Sequence, residues 1–117
     1  MSTTATLGAA GEQAAADYLT ASGYTVVARN YRAGRAEIDL IAQQENERLV
    51  FVEVKVRSDL RFGFPEQSVT PAQQQRVRRA AEQYLLATNW RADIRFDILA
   101  LTPISEGFRI EHFEDAF

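Results

Sequence analysis

The sequence predicts an α/β domain: a mixed β-sheet flanked by helices, in the order αβββαββ. Three observations carry this. Residues 37–57 read as two apolar strands joined by the polar turn Gln44-Glu45-Asn46-Glu47. Helical patterns precede the first strand and separate the third from the fourth, and a helix between two strands is the usual crossover to a parallel neighbour. The chain has 117 residues, 46% hydrophobic and 25% charged, which suffices for one core and is too short for two. A single domain over residues 1–117 is therefore expected.

Taken in order, residues 1–6 are a lead-in and residues 7–22 a helix. Leu7, Ala10, Ala14, Tyr18 and Ser22 recur at helical steps in an alanine-rich segment, and Gly23 is placed as a left-handed cap. Glu12 stands seven residues before Leu19, on the same meridian at the edge of the apolar stripe. Spacing leaves two readings of it: a carboxylate reaching inward, or a solvated first-turn glutamate that complements the helix dipole. Residues 24–31 form a strand, and Ala33-Gly34-Arg35-Ala36 turns into the central pair.

In the central pair, strict alternation puts Glu37, Asp39 and Ile41 on one face and Ile38, Leu40 and Ala42 on the other. Phe51, Glu53, Lys55 and Arg57 likewise share a face, opposite Val50, Val52, Val54 and Val56. An antiparallel pair turning near Asn46 sets Asp39 opposite Glu53, with Cβ atoms about 4.5–5.5 Å apart. Like charges opposed across strands are destabilising, so a fold that keeps them has use for a cation between them.

Residues 58–70, with Phe62, Gly63, Phe64 and Pro65, read as a loop leaving the charged end of the second central strand. Thr70-Pro71 starts a helix that runs to about Thr88, with Val77, Ala81, Tyr84 and Leu85 as its buried stripe. Arg76, Arg79 and Gln83 fall on another face, with Arg78 between. Together with Arg57 and Arg61 they suggest either a phosphate-binding strip or a solvated face paired with Glu82. Residues 94–102 are an apolar strand that embeds Asp97, for which pairing with a helix arginine is expected. A last strand spans Gly107–Phe113, followed by a tail.

Composition excludes several classes. The chain lacks cysteine, so it has no disulfide framework, thiolate zinc site or cysteine nucleophile. No apolar stretch approaches a membrane span and no secretory signal is evident, so a cytoplasmic protein without membrane contact is expected. A net charge of -3 argues against a protein that simply coats nucleic acid. His112, the single histidine, reads as structural or surface, and no glycine-rich phosphate loop is present.

Asp39, Glu53 and Lys55 carry chemistry suited to phosphodiester hydrolysis. Magnesium takes oxygen ligands, often one or two carboxylates plus waters. A neighbouring lysine can stabilise developing charge or orient the attacking water. Spacing alone equally allows Lys55 to pair with Glu53 or Glu37 for structural reasons.

The runs Gly34-Arg-Ala-Glu37-Ile-Asp39-Leu-Ile-Ala and Val50-Phe-Val-Glu53-Val-Lys55-Val-Arg57 resemble the bacterial YraN-type family. That family is similar to the restriction-endonuclease-like PD-(D/E)xK nucleases and to Holliday junction resolvases. The likeness covers nearly the whole chain, including Gly8-Ala-Ala-Gly11-Glu12, Arg95-Phe96-Asp97 and Asp115-Ala116-Phe117. Two positions depart from it: Ala36 where relatives usually have glycine, and Gln73 where they often have lysine. The resemblance implies a restriction-endonuclease-like fold and an endonuclease dependent on Mg²⁺, with Mn²⁺ as substitute, acting on branched or structured DNA. It places Glu12, Asp39 and Glu53 as ion ligands, with the Val54 carbonyl as a further one, and Lys55 beside the attacking water. Arg57, Arg61, Arg76 and Arg79 would contact DNA phosphates, and cutting two strands would call for a homodimer. The alternative is a non-catalytic nucleic-acid-binding module on the same fold.

Overall fold

A computed structural model describes residues 4–57 and 69–117, with side chains described from Gly8 onward. Its elements are α1 (Thr4–Ala21), β1 (Thr25–Ala33), β2 (Ala36–Gln44), β3 (Arg48–Val56), α2 (Pro71–Thr88), β4 (Asp93–Ile104) and β5 (Gly107–Phe113). The order αβββαββ is the expected one. The strands form one mixed sheet in the order β1-β2-β3-β4-β5, antiparallel except for the parallel pair β3–β4 that α2 connects. The expected loop over 58–70 falls largely outside the described residues, and with it Arg61, Phe62 and Phe64.

Each face of the sheet is covered by one helix. Leu40, Ala42, Val50, Val52, Leu99 and Leu101 pack with Ala15, Ala16 and Leu19 of α1. Ile38, Ile41, Leu49, Phe51 and Phe96 pack with Val77, Ala80 and Ala81 of α2. The α2 stripe is the expected one, with Tyr84 and Leu85 at its edge. The α1 stripe is displaced from expectation: Gly11, Ala15, Ala16 and Leu19 are buried, whereas Ala10 and Ser22 are exposed. An alanine-rich helix offers little hydrophobic contrast, so periodicity could not tell its faces apart.

Gly11 shows why that face was chosen. A Cβ built there would lie 2.5 Å from Val56 Cγ2, so α1 approaches β3 closely only because position 11 lacks a side chain. Glycine to alanine inside a helix normally stabilises by about 1 kcal/mol. Here Gly11→Ala is expected to destabilise by roughly 1–3 kcal/mol through overpacking. In urea unfolding, Val56→Ala should recover part of that loss in the double variant, a coupling absent if the two residues are independent.

The helix ends follow elementary rules. Gly23, at φ 95°, is the left-handed cap of α1, and Tyr24 N–H closes onto the Leu19 carbonyl at 2.9 Å. At α2, Thr70 Oγ1 accepts from Gln73 N–H at 3.2 Å while Gln73 Oε1 accepts from Thr70 N–H at 3.0 Å. Gln73, one of the two departures from the resemblance, is thus engaged in a capping box.

The C-terminal tail is docked rather than loose. Asp115 N–H donates to Asp97 Oδ1 at 3.0 Å, and Ala116 N–H donates to the Phe96 carbonyl at 2.8 Å. Phe117 lies against Phe96, with Arg78 over both rings. That cation–π contact takes Arg78 out of the arginine strip expected on α2.

Candidate functional site

The β2–β3 ladder has the expected register, running from Gln44 opposite Arg48 to Leu40 opposite Val52. Continued by one step, it brings Asp39 to Glu53. The backbone pairing ends there, and the Asp39 carboxylate takes its place: Oδ2 accepts from Val54 N–H at 2.8 Å. The two central strands therefore fork at Asp39 and Glu53, with a side chain satisfying a backbone donor that the partner strand no longer serves.

The expected faces of β2 need correction at this point. Ile38 packs in the α2 cluster and Leu40 in the α1 cluster, although strict alternation would put both on one face. The alternation breaks at Asp39. Opposite it on β1 lies Asn30, which adopts a left-handed φ of 50°, a conformation that asparagine tolerates better than most residues. The break turns Asp39 toward the strand fork instead of into either core. Strand β3 keeps regular alternation, so Val54 and Val56 stay with the α1 cluster while Glu53 and Lys55 face away from it.

The fork is electrostatically strained. Burial pushes the Glu53 carboxyl up to about 8, and the charge of Asp39 adds to the shift; Lys55 opposes it. Burial also raises Asp39, against the Val54 N–H bond, with Glu12 and Glu37 pushing the same way as burial and Lys55 again opposing. At neutral pH the protonated form of Glu53 is thus favoured. Glu53 Oε1 is buried without a hydrogen-bond partner, an acceptor whose lone pairs nothing in the described structure uses.

Glu12 reaches this neighbourhood by another route. Helix α1 begins at Thr4, so Glu12 lies in its third turn and the first-turn dipole reading does not hold. The side chain is half-buried. With its amide nitrogen turned to the acids, Asn30 donates to Glu12 Oε1 and Glu37 Oε1 at 2.9 Å each. Asn30 thus gathers the two outer acids beside the Asp39–Glu53 pair, a role that periodicity gave no reason to assign. Glu37 also pairs with the exposed Arg32 at 3.4 Å. Among the described residues no three acidic or histidine side chains close into a metal-binding cluster. The chain brings Asp39 and Glu53 together within reach of the charges of Glu12 and Lys55, and Asn30 ties Glu12 to Glu37 beside them.

Of the expected phosphate contacts, Arg76 and Arg79 are exposed on α2, and Arg57 is half-buried at the end of β3, its N–H donating to the Leu101 carbonyl at 2.7 Å. Arg61 is outside the described residues.

Asp97 does not join this site, and its partner is not a helix arginine. It is fully buried, and Arg95 of the same strand donates to it twice, at 2.8 Å from both Nε and Nη2. His112 Nε2 lies 2.6 Å from Asp97 Oδ2, and His112 Nδ1 lies 3.1 Å from the Tyr18 hydroxyl. Arg95 also donates to the Tyr24 hydroxyl at 2.8 Å. Burial alone would raise the Asp97 carboxyl, but these bonds from His112, Arg95 and Asp115 N–H hold it below the ordinary range. His112 is structural, as expected: it ties β5 to β4 and α1.

The sequence profile of Uncharacterised protein family UPF0102 matches residues 11–101, a span that contains α1 from Gly11 onward, the fork and α2. The chain belongs to this family. Relatives carrying the same family name occur across distant bacteria. One from Flavobacterium psychrophilum is 44% identical, over 95% of this chain and 92% of its own length. One from Chlorobium limicola is 45% identical over 95% of this chain and 91% of its own. One from Symbiobacterium thermophilum is 47% identical over 95% of both chains. Membership thus extends over essentially the full sheet and both helices, which agrees with the YraN-type resemblance.

Proposed function

We propose that this UPF0102 chain is a Mg²⁺-dependent endodeoxyribonuclease that hydrolyses phosphodiester bonds in branched or structured DNA. The observation that carries the reading is the fork itself: two adjacent carboxyls, one with an unpartnered buried oxygen, and a lysine on the same strand. A hard cation suits two carboxylate oxygens plus waters, so a third protein acid is not required. Asp39 and Glu53 would hold the ion, with Glu12 and the Val54 carbonyl as further ligands. When bound, the ion polarises the phosphate and acidifies a water.

The chain's own residues supply the rest. Lys55 lies near enough to both carboxyls for its charge to act on them, and orients or stabilises the attacking oxygen. Arg76 and Arg79 hold phosphates without reading sequence. Cutting both strands of a branch calls for two copies, hence a homodimer. A cytoplasmic setting fits this role, and among the described residues no helix is long and apolar enough to cross a membrane.

The test is cleavage of branched, duplex and single-stranded DNA with Mg²⁺ or Mn²⁺, wild type against Glu53→Gln. Cutting that Glu53→Gln abolishes supports the proposal. DNA binding without cutting would instead favour a non-catalytic binding module.

The strain at the fork gives a stability prediction. A carboxyl whose native pKa is raised contributes stability that is complete below its unfolded pKa, near 4.3. That contribution is lost as pH rises through about 8. Metal-free wild type should therefore lose stability between pH 5 and 8. Asp39→Asn removes one charge and keeps an acceptor for Val54 N–H. In EDTA at pH 8 it is expected to melt several degrees above wild type, and Mg²⁺ should raise the wild-type melting temperature more. A lower melting temperature in EDTA, with equal Mg²⁺ shifts, would make Asp39 purely structural.

A further inference from the structure

One groove among the described residues lies away from the acids. It is a cleft of about 560 Å³ between the β1–β2 turn and α2, with Arg35 on one wall and Arg76 and Arg79 on the other. A second groove of about 400 Å³ adjoins it across Glu82 and Leu86 and ends at Trp90 and Arg91. Four arginines and one acid thus face one continuous surface on a chain whose net charge is -3. Among the described residues none of these arginines has a carboxylate within ion-pair distance. Trp90 is the single tryptophan of the chain. It is half-buried against the α2 cluster, and its Nε1–H donates to the Asp93 carbonyl at 3.0 Å, which fixes the ring.

We propose that this surface is a track for a single-stranded segment of nucleic acid. Arg35, Arg76 and Arg79 take the phosphates at one end, and Trp90 with Arg91 takes an unpaired base at the other. Positively charged grooves that track a backbone, combined with fixed aromatic platforms, are the general solution for binding single strands. An indole can stack on a base only after that base has left its own duplex stack, so the platform selects unpaired nucleotides. Glu82 separates the two basic ends and keeps phosphate from resting midway. Ala36 lines the arginine end and precedes Asp39 by three residues, about 10 Å along the strand, so the track leads toward the fork. The inference rests on the reading of the fork as a DNA-cleaving site, and it names the substrate class: DNA with a single-stranded arm.

The experiment is a titration of the full chain in EDTA with labelled single-stranded and duplex DNA. Oligonucleotides of about 15 nucleotides match the footprint expected for such a groove. Label anisotropy reports binding anywhere, and Trp90 fluorescence reports binding on this face. The single strand is expected to bind about tenfold more tightly than the duplex and to quench Trp90 in step with the anisotropy. Arg35→Ala should weaken single-strand binding and reduce the log–log salt slope by about 0.7. Anisotropy that rises without quenching, and is unchanged in Arg35→Ala, overturns the track while leaving the fork's cleavage to be judged by its own assay. An absence of binding to either DNA overturns it too. So does equal quenching by a polyglutamate peptide, which would assign the grooves to an acidic protein partner.

Discussion

Lys55→Ala is expected to slow the proposed Mg²⁺-dependent DNA cleavage by about 10²–10⁴-fold, the range for removing a group that positions or transfers a proton at the reacting oxygen. Lys55 also offsets the charge of Glu53 and Asp39. Its loss should therefore raise both carboxyls further and make metal binding more sensitive to acid. The two effects separate experimentally: at pH 9 and saturating Mg²⁺ the carboxyls are ionised, and the remaining deficit belongs to the chemical step. Single-turnover rates against pH measure both. A Lys55→Ala rate equal to wild type at pH 9 would confine the lysine to balancing charge.

The largest loss of stability is expected at Asp97, far in kind from the fork. Asp97→Ala leaves Arg95 with 12% of its side chain exposed and without its bidentate partner. It also removes an acceptor for His112 and for the tail at Asp115. Breaking such a buried pair from one side costs about 3–5 kcal/mol. Asp97→Asn, which keeps an acceptor oxygen, should cost less. Because the native Asp97 pKa is depressed, the charge contributes fully above about pH 4. The advantage of wild type over Asp97→Asn should shrink as pH falls through the native value. Urea melts at pH 7 and near pH 3 check this. Equal losses at both would show that charge is not what the network uses.

The two acidic sites differ in how far sequence could reach them. The turn at Asn46 and the uniform alternation of β3 were enough to bring Asp39 opposite Glu53, because register follows from a short turn between two apolar runs. The break at Asp39 was not legible: it arises from Asn30 taking a left-handed conformation on the neighbouring strand, a pairing that no local pattern reveals. Asp97 was expected to pair with a helix arginine; its actual network was not legible because Tyr24 (through Arg95), His112 and Asp115 come from other segments. The face of α1 was hidden by its alanines and decided by Gly11 against Val56. The arginine groove was half visible, since Arg76 and Arg79 share a helix face. Arg35 and Trp90 join it only through the placement of the β1–β2 turn and the end of α2.

The proposed cleavage requires a divalent-cation site at the strand fork, held by Asp39 and Glu53. Burial and the charge of Asp39 push the Glu53 carboxyl up to about 8, so an ion that binds there at pH 7 is expected to displace its proton. Calorimetric titration with Mn²⁺ at pH 7, repeated in buffers of different ionisation enthalpy, measures that displacement directly. The expected result is one ion per chain and close to one proton released per ion at pH 7, with release vanishing above about pH 9. Both binding and release should be lost in Glu53→Gln. Mn²⁺ that fails to bind, or binds to Glu53→Gln as to wild type with no proton released, would contradict it.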